Sequence, residues 1–266
     1  MEILCYSGIP GSGKTFHATY NAIEHYKKEN KRNNLYYLLS LIPFSLFNFA
    51  RDKVRYIQTF PHNRINNVYS SYPILLDKKR KIYSNKYHIL DFDNKHSFLP
   101  NAAFFDDEIQ LKIDSDEYTE KKQKDIIAKI AKFMQSARHF GCSSIVITTQ
   151  HPSRLFKKAR NVASGFVHHK ILFHIPIIHL GLFRFTHYFI LEDYGKYVPR
   201  NRRERRKIPF EYKRKYKWLN FKKIGSCYDS RYLSEYNYGL PLLDRGLWES
   251  SKVSRDLLET YYSEKN

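Results

Sequence analysis

Short continuous apolar runs and stretches of helical apolar spacing take turns along this chain. Residues 2–7, EILCYS, form a run of strand length that ends in a glycine-containing turn. Beyond it Phe16, Tyr20, Ile23 and Tyr26 recur at three- and four-residue intervals, which predicts a helix whose charge rises towards its end. An apolar tetrad at 102–105 runs straight into carboxylates. The segment 117–141 carries the clearest helical pattern. Ile126, Ile130, Phe133, Ala137 and Phe140 hold one face, lysines and acids cover the other, and Gly141 supplies a C-terminal stop. A β-branched run at 145–149, closed by Gln150 and Pro152, suits a buried strand. Shorter strand candidates lie at 67–72 and 87–92, and 165–194 reads as further strands. Strands alternating with helices predict an α/β domain with a mainly parallel sheet. There is no internal repeat.

Composition refines this picture. A chain of 266 residues with 42% apolar content can bury one sizeable core, or a core and a smaller appendage. From residue 199 the composition shifts, which divides the chain into a 1–198 domain and a basic, aromatic-rich extension over 199–266. The net charge of +20 favours polyanionic partners, nucleic acid or an anionic membrane surface. Much of it sits in a tract over 200–223 that includes Arg202, Arg203, Arg205, Arg206, Lys213, Arg214 and Lys215. Phe210, Tyr212, Tyr216 and Trp218 interleave with these cations. Such aromatics stack on unpaired bases while the cations meet phosphates. The same cations suit an anionic leaflet, and a solvated basic segment is the plain alternative.

Cys5, Cys142 and Cys227 match no zinc spacing and fit a reducing compartment. No basic segment followed by an apolar stretch precedes the first motif, so no signal peptide is expected. The longest uncharged run, 35–50, holds Pro43, and the run 171–183 holds His174, Pro176 and His179. Both fall short of the ~20 apolar residues a transmembrane helix needs. The 35–50 run is expected to be a buried helix or strand pair, with lipid contact from the cytoplasmic side as its alternative. The histidine cluster His168, His169, His174 and His179 lacks companion carboxylate or cysteine ligands and reads as buried or partnered rings.

The chemistry begins between the first strand and the first helix. Gly8, Ile9, Pro10, Gly11, Ser12, Gly13, Lys14 and Thr15 match the phosphate-binding loop pattern, with Phe16 next in line. Glycines let backbone N–H groups converge on phosphate oxygens at the positive end of a helix. Lys14 is the candidate for the β- and γ-phosphates and Thr15 for a Mg2+ ligand, which makes ATP and Mg2+ the expected substrate and cofactor. Hydrolysis needs a second acid pair at a strand end, and Asp106, Asp107 and Glu108 provide one. The doubled aspartate leaves open whether Asp106 or Asp107 faces the metal. Gln150 stands beside the nucleotide if its strand neighbours the loop strand. Arg138 is either a finger reaching a neighbouring subunit's site or a surface cation complementing a helix C-terminus.

Three stretches, GIPGSGKT, FFDDEIQ and SARHFGCSSIVITTQHPSRLFKKARNV, resemble the Zot (zonular occludens toxin-like) family. These are the assembly ATPases of filamentous phages. The 107–110 stretch resembles the family's Asp-Glu-x-Gln signature, which implies Asp107 as the metal-side acid and Glu108 as the catalytic acid. The resemblance also implies a RecA-like P-loop fold related to DNA-pumping motors of the HerA/FtsK group. It further implies ATP hydrolysis coupled to movement of viral, preferably single-stranded, DNA through an assembly complex at the cytoplasmic face of the host inner membrane. Motors of this kind act as homo-oligomeric rings. Family members commonly carry a transmembrane helix after the ATPase domain, and none is expected in this chain. Its expected partners are therefore a membrane assembly complex, reached through peripheral membrane contact, or a capsid portal. Filling a preformed capsid is the alternative within the same chemistry. A non-catalytic, nucleotide-gated membrane-binding or toxin-like factor is the alternative of another class, opposed by an intact Lys14, Thr15 and Glu108.

Overall fold

The structure, a computed structural model, describes residues 1–40, 66–87, 98–99, 101–109, 121–155, 157–189, 212–228 and 248. In chain order its elements are β1 (Glu2–Ser7), α1 (Lys14–Ser40), β2 (Val68–Ser70), β3 (Leu75–Asp77), β4 (Ile82–Tyr83), β5 (Asn85–Lys86) and β6 (Ala103–Asp106). There follow α2 (Lys121–Ser136), β7 (Ser144–Thr149), a 3-10 turn (Pro152–Arg154), α3 (Lys157–Val162), β8 (Gly165–Ile175), β9 (Leu180–Tyr188), β10 (Tyr212–Asn220) and α4 (Phe221–Gly225).

Among the described residues, eight strands make one sheet in the order β10-β9-β8-β1-β7-β6-β2-β5, and β3 and β4 form a separate pair. β1 runs parallel to both β7 and β8, and β6 runs parallel to β7 and β2. β8, β9 and β10 pair antiparallel, so a mainly parallel sheet carries an antiparallel edge.

The central strands are apolar on both faces because both are covered. On one face Ile3, Cys5, Phe104, Ile145 and Ile147 pack with Ile130, Phe133 and Met134 of α2 and Ala159 of α3. On the other Tyr6, Phe105, Val146 and Val167 pack with Phe16, Ile23 and Tyr26 of α1. The product is a three-layer α/β fold with the RecA-like P-loop strand order. The loop strand β1 lies between β7 and β8, and the carboxylate strand β6 lies one position further out.

Several boundaries differ from the sequence expectation. α1 runs on to Ser40, so the first residues of the 35–50 run are helical, while 41–50 lies outside the described residues. α2 closes at Ser136, and Gly141, at φ 71°, ends the turn that follows it. Cys142 N donates to Ala137 O at 3.0 Å across that turn. Arg138 and Phe140 therefore sit in the turn rather than on the helix. Of the 87–92 strand candidate, Tyr87 is outside any strand and 88–92 lies outside the described residues. Residues 212–220, assigned by composition to the extension, form the edge strand β10 of the main sheet. Among the described residues no helix is long and apolar enough to cross a membrane.

Candidate nucleotide-binding site

Between β1 and α1 the loop takes a path that glycine permits. Gly13 has a φ of 89°, and a Cβ there would lie 2.5 Å from Cε1 of Phe183 on β9. Gly8, at φ 144°, leaves room for Ser12, whose Oγ would stand 2.7 Å from a Cβ at Gly8. The first helical bond of α1 follows at once, His17 N donating to Gly13 O at 2.9 Å. Ser12 Oγ is buried with no hydrogen-bond partner among the described residues, an orphaned hydroxyl inside the loop. Lys14 is buried and its Nζ donates to Gly8 O at 2.8 Å and Ile9 O at 3.2 Å. Burial holds the Lys14 ammonium below its ordinary pKa, and the nearby Asp107 and Glu108 carboxylates oppose that shift.

The carboxylates arrive from the end of β6. Thr15 Oγ1 donates to Asp107 Oδ1 at 2.8 Å. Thr148, on the neighbouring strand β7, donates its hydroxyl to the same oxygen at 2.5 Å and accepts from Glu108 N at 2.9 Å. Asp107 N in turn donates to Ser71 Oγ at 3.0 Å. Burial raises the Asp107 pKa, while the hydrogen bonds from Thr148 and Thr15 offset part of the rise. Asp106 is turned elsewhere and accepts from the Tyr87 hydroxyl. The aspartate that meets the phosphate loop is thus Asp107. Glu108 is left-handed, at φ 47°, an uncommon conformation for a residue with a Cβ, and Thr148 holds its amide there.

Gln150 closes β7, and its carbonyl accepts from Gly8 N at 3.3 Å, which ties that strand end to the loop. Arg138 is not brought to this site. It is exposed and lies before β7, at the opposite end of the sheet from Gln150. Lys213, Arg214 and Lys215 are exposed on β10, whereas Arg202, Arg203, Arg205 and Arg206 lie outside the described residues. Thr148, Ser71 and His17 were not singled out by sequence, whereas His169, expected to be a buried or partnered ring, is buried against His17. Thr148 sits in a run of β-branched residues whose spacing describes a core strand equally well.

Hard oxygen donors such as the Thr15 hydroxyl and the Asp107 carboxylate are those Mg2+ takes, and phosphate oxygens would satisfy the orphaned Ser12 hydroxyl. The residues present therefore fit a magnesium nucleotide. Strand order, loop geometry and the Thr15–Asp107 contact define a P-loop NTPase of the RecA-like class. The chain belongs to the family described as Zonular occludens toxin (Zot), whose model matches residues 2–217.

Among solved structures, the chain is similar to the N-terminal domain of zonular occludens toxin from Neisseria meningitidis, at 17% identity and a TM-score of 0.41. That match covers 86% of this chain and 98% of the other. It is also similar to the genome packaging NTPase B204 from Sulfolobus turreted icosahedral virus 2, in complex with ATP-gammaS. There the identity is 12% and the TM-score 0.33, over 72% of this chain and 93% of that one. The flagellar accessory protein FlaH from Methanocaldococcus jannaschii matches at 11% identity and a TM-score of 0.30, over 70% and 76% of the two chains. At these values the fold assignment stands on the chain's own strand order. No curated protein matches the chain.

Proposed function

We infer that the chain is a Mg2+-dependent ATPase that moves viral DNA during particle assembly at the cytoplasmic face of the host inner membrane. The observation that carries the reading is the continuous path from Thr15 through Asp107 Oδ1 to Thr148 and on to the Glu108 amide. It joins a residue of the first turn of α1 to the acid suited to act on water. Mg2+, when bound, would be held by Thr15 and Asp107 and would supply charge neutralisation for the phosphates. Lys14, released from the loop carbonyls, meets the β- and γ-phosphates, and the loop amides and Ser12 hydroxyl hold the remaining oxygens. Glu108 accepts the proton of the attacking water, and Gln150 orients near the γ-phosphate.

Arg138, at the far end of its own sheet, completes a site only in a neighbouring subunit, which fits a ring. Membership of the Zot family, phage assembly ATPases by the resemblance described above, supports the viral role. The exposed cations of β10 support nucleic-acid contact.

Glu108→Gln is expected to keep nucleotide affinity while turnover falls by about 10²-fold or more, the usual worth of a positioned base. Steady-state hydrolysis and nucleotide titration on the same preparation check this. Turnover that survives the substitution removes Glu108 from its role.

A further inference from the structure

The turn joining β8 to β9 displays the most exposed apolar side chain among the described residues, Ile177, at 91% exposure. Ile178 beside it is 51% exposed. His179 N donates to Pro176 O at 3.1 Å, so the two isoleucines occupy the central positions of a tight turn. Such positions belong to Gly, Asn, Asp and Ser, for reasons of backbone conformation and solvation. β-branched aliphatic residues there add nothing to the turn, and water opposes their exposure.

The strand register arranges what lies behind this tip in bands. Nearest is α4, since Phe221 N donates to His179 O at 2.7 Å, and its Lys222 and Lys223 are exposed. Next comes the rung Phe173–Leu182–Trp218, whose two aromatic rings meet edge to face at 6.4 Å and are half exposed. Behind that stands the rung Lys170–Arg184–Tyr216. No Asp or Glu occurs over 165–188 or 212–225.

We propose that this hairpin is a membrane-docking element that inserts Ile177 and Ile178 into a bilayer surface bearing anionic lipid. An aliphatic tip backed by cations and an aromatic band suits a bilayer interface, where the acyl chains give way to a zone that takes aromatic rings and to lipid phosphates. Nucleic acid would also meet the cations, yet it gains nothing from aliphatic side chains, because bases stack on π-faces. A convex two-residue tip offers a folded partner far less than the about 800 Å² a side that stable interfaces bury. A fluid bilayer closes around it. The proposal names the contact surface for the membrane location inferred above and rests on that location, but not on hydrolysis.

Co-sedimentation with phosphatidylcholine vesicles, with and without phosphatidylglycerol, tests it on the full chain. The wild type is expected to bind the anionic vesicles and to bind pure phosphatidylcholine weakly. Ile177→Asn combined with Ile178→Gly suits the turn, so melting temperature and lipid-free ATP turnover should hold. Its partition coefficient should fall about ten-fold or more with the loss of two buried aliphatic side chains. Lys222→Gln with Lys223→Gln should remove the preference for phosphatidylglycerol. Three results overturn the proposal: no binding of wild type to anionic vesicles, unchanged binding by the tip variant, or loss of single-stranded oligonucleotide binding in that variant in place of vesicle binding. A protein that binds vesicles through the tip but does not hydrolyse ATP refutes the ATPase reading alone. One that hydrolyses ATP and ignores vesicles refutes the docking alone.

Discussion

Gly13 meets two separate obstacles to any side chain: a φ of 89° and the Phe183 ring 2.5 Å from where a Cβ would sit. Gly13→Ala should therefore cost about 1–3 kcal/mol of stability and weaken nucleotide binding. Adding Phe183→Leu should recover only the steric part. Denaturant unfolding of the single and double variants separates the two, and full recovery in the double variant would show that the backbone conformation is of no consequence.

Thr148 is a subtler case. Its hydroxyl serves Asp107 and the Glu108 amide at once, so Thr148→Val should lower turnover by about ten- to a hundred-fold through misplacement of the acid. Nucleotide affinity should change little, and Thr148→Ser should restore turnover. Equal losses in the Ser and Val variants would make the residue a packing element. The loop and the acid pair were legible in the sequence because their chemistry depends on neighbours along the chain. Thr148 was not, because its role exists only once β7 lies between β1 and β6.

Two elements meet through a histidine pair where His17 of α1 touches His169 of β8, Nδ1 to Nε2 at 2.9 Å. His169 Nδ1 faces the Val167 carbonyl at 3.0 Å, so that nitrogen carries the proton and Nε2 accepts from His17. Both rings are buried and neutral. Burial brings the His169 pKa down to about 3 and holds His17 well below its ordinary value, with His169, Lys217 and Lys215 adding to the second shift. The unfolded chain binds more protons than the folded one below about pH 6.5, the free histidine value. Stability is then fully present above that pH and is lost as pH falls towards the folded values, approaching about 1.4 kcal/mol per pH unit for each ring. Urea midpoints at pH 7 and pH 5 should differ accordingly, and coincident midpoints would rule out a neutral pair.

At this scale, apolar period located β1, α1, α2 and β7. It carries no information on strand direction, so the antiparallel β8–β9 hairpin emerged only from the pairing. Helix ends were equally silent, since α2 stops at Ser136 although its apolar face continues through Ala137.

Over the whole molecule, the +20 charge and the exposed cations of β10 set the terms for any polyanion. Affinity for single-stranded DNA should fall with salt with a log–log slope of about −3 or steeper, given roughly 0.7 per neutralised phosphate. Lys213→Gln with Lys215→Gln should flatten that slope by about one unit. A salt-independent affinity would exclude backbone tracking.

The place of β1 in the sheet has a consequence for synthesis. Its hydrogen-bonding neighbours begin at Ser144 and Gly165, so the strand leaves the ribosome with nothing to pair with. At 5–20 residues per second, roughly 7–30 s pass before β7 is made. A nascent chain arrested short of β7 carries every residue of the loop but no wall behind it. Nucleotide capture should thus appear abruptly with chain length, in ribosome-bound fragments long enough to include β8.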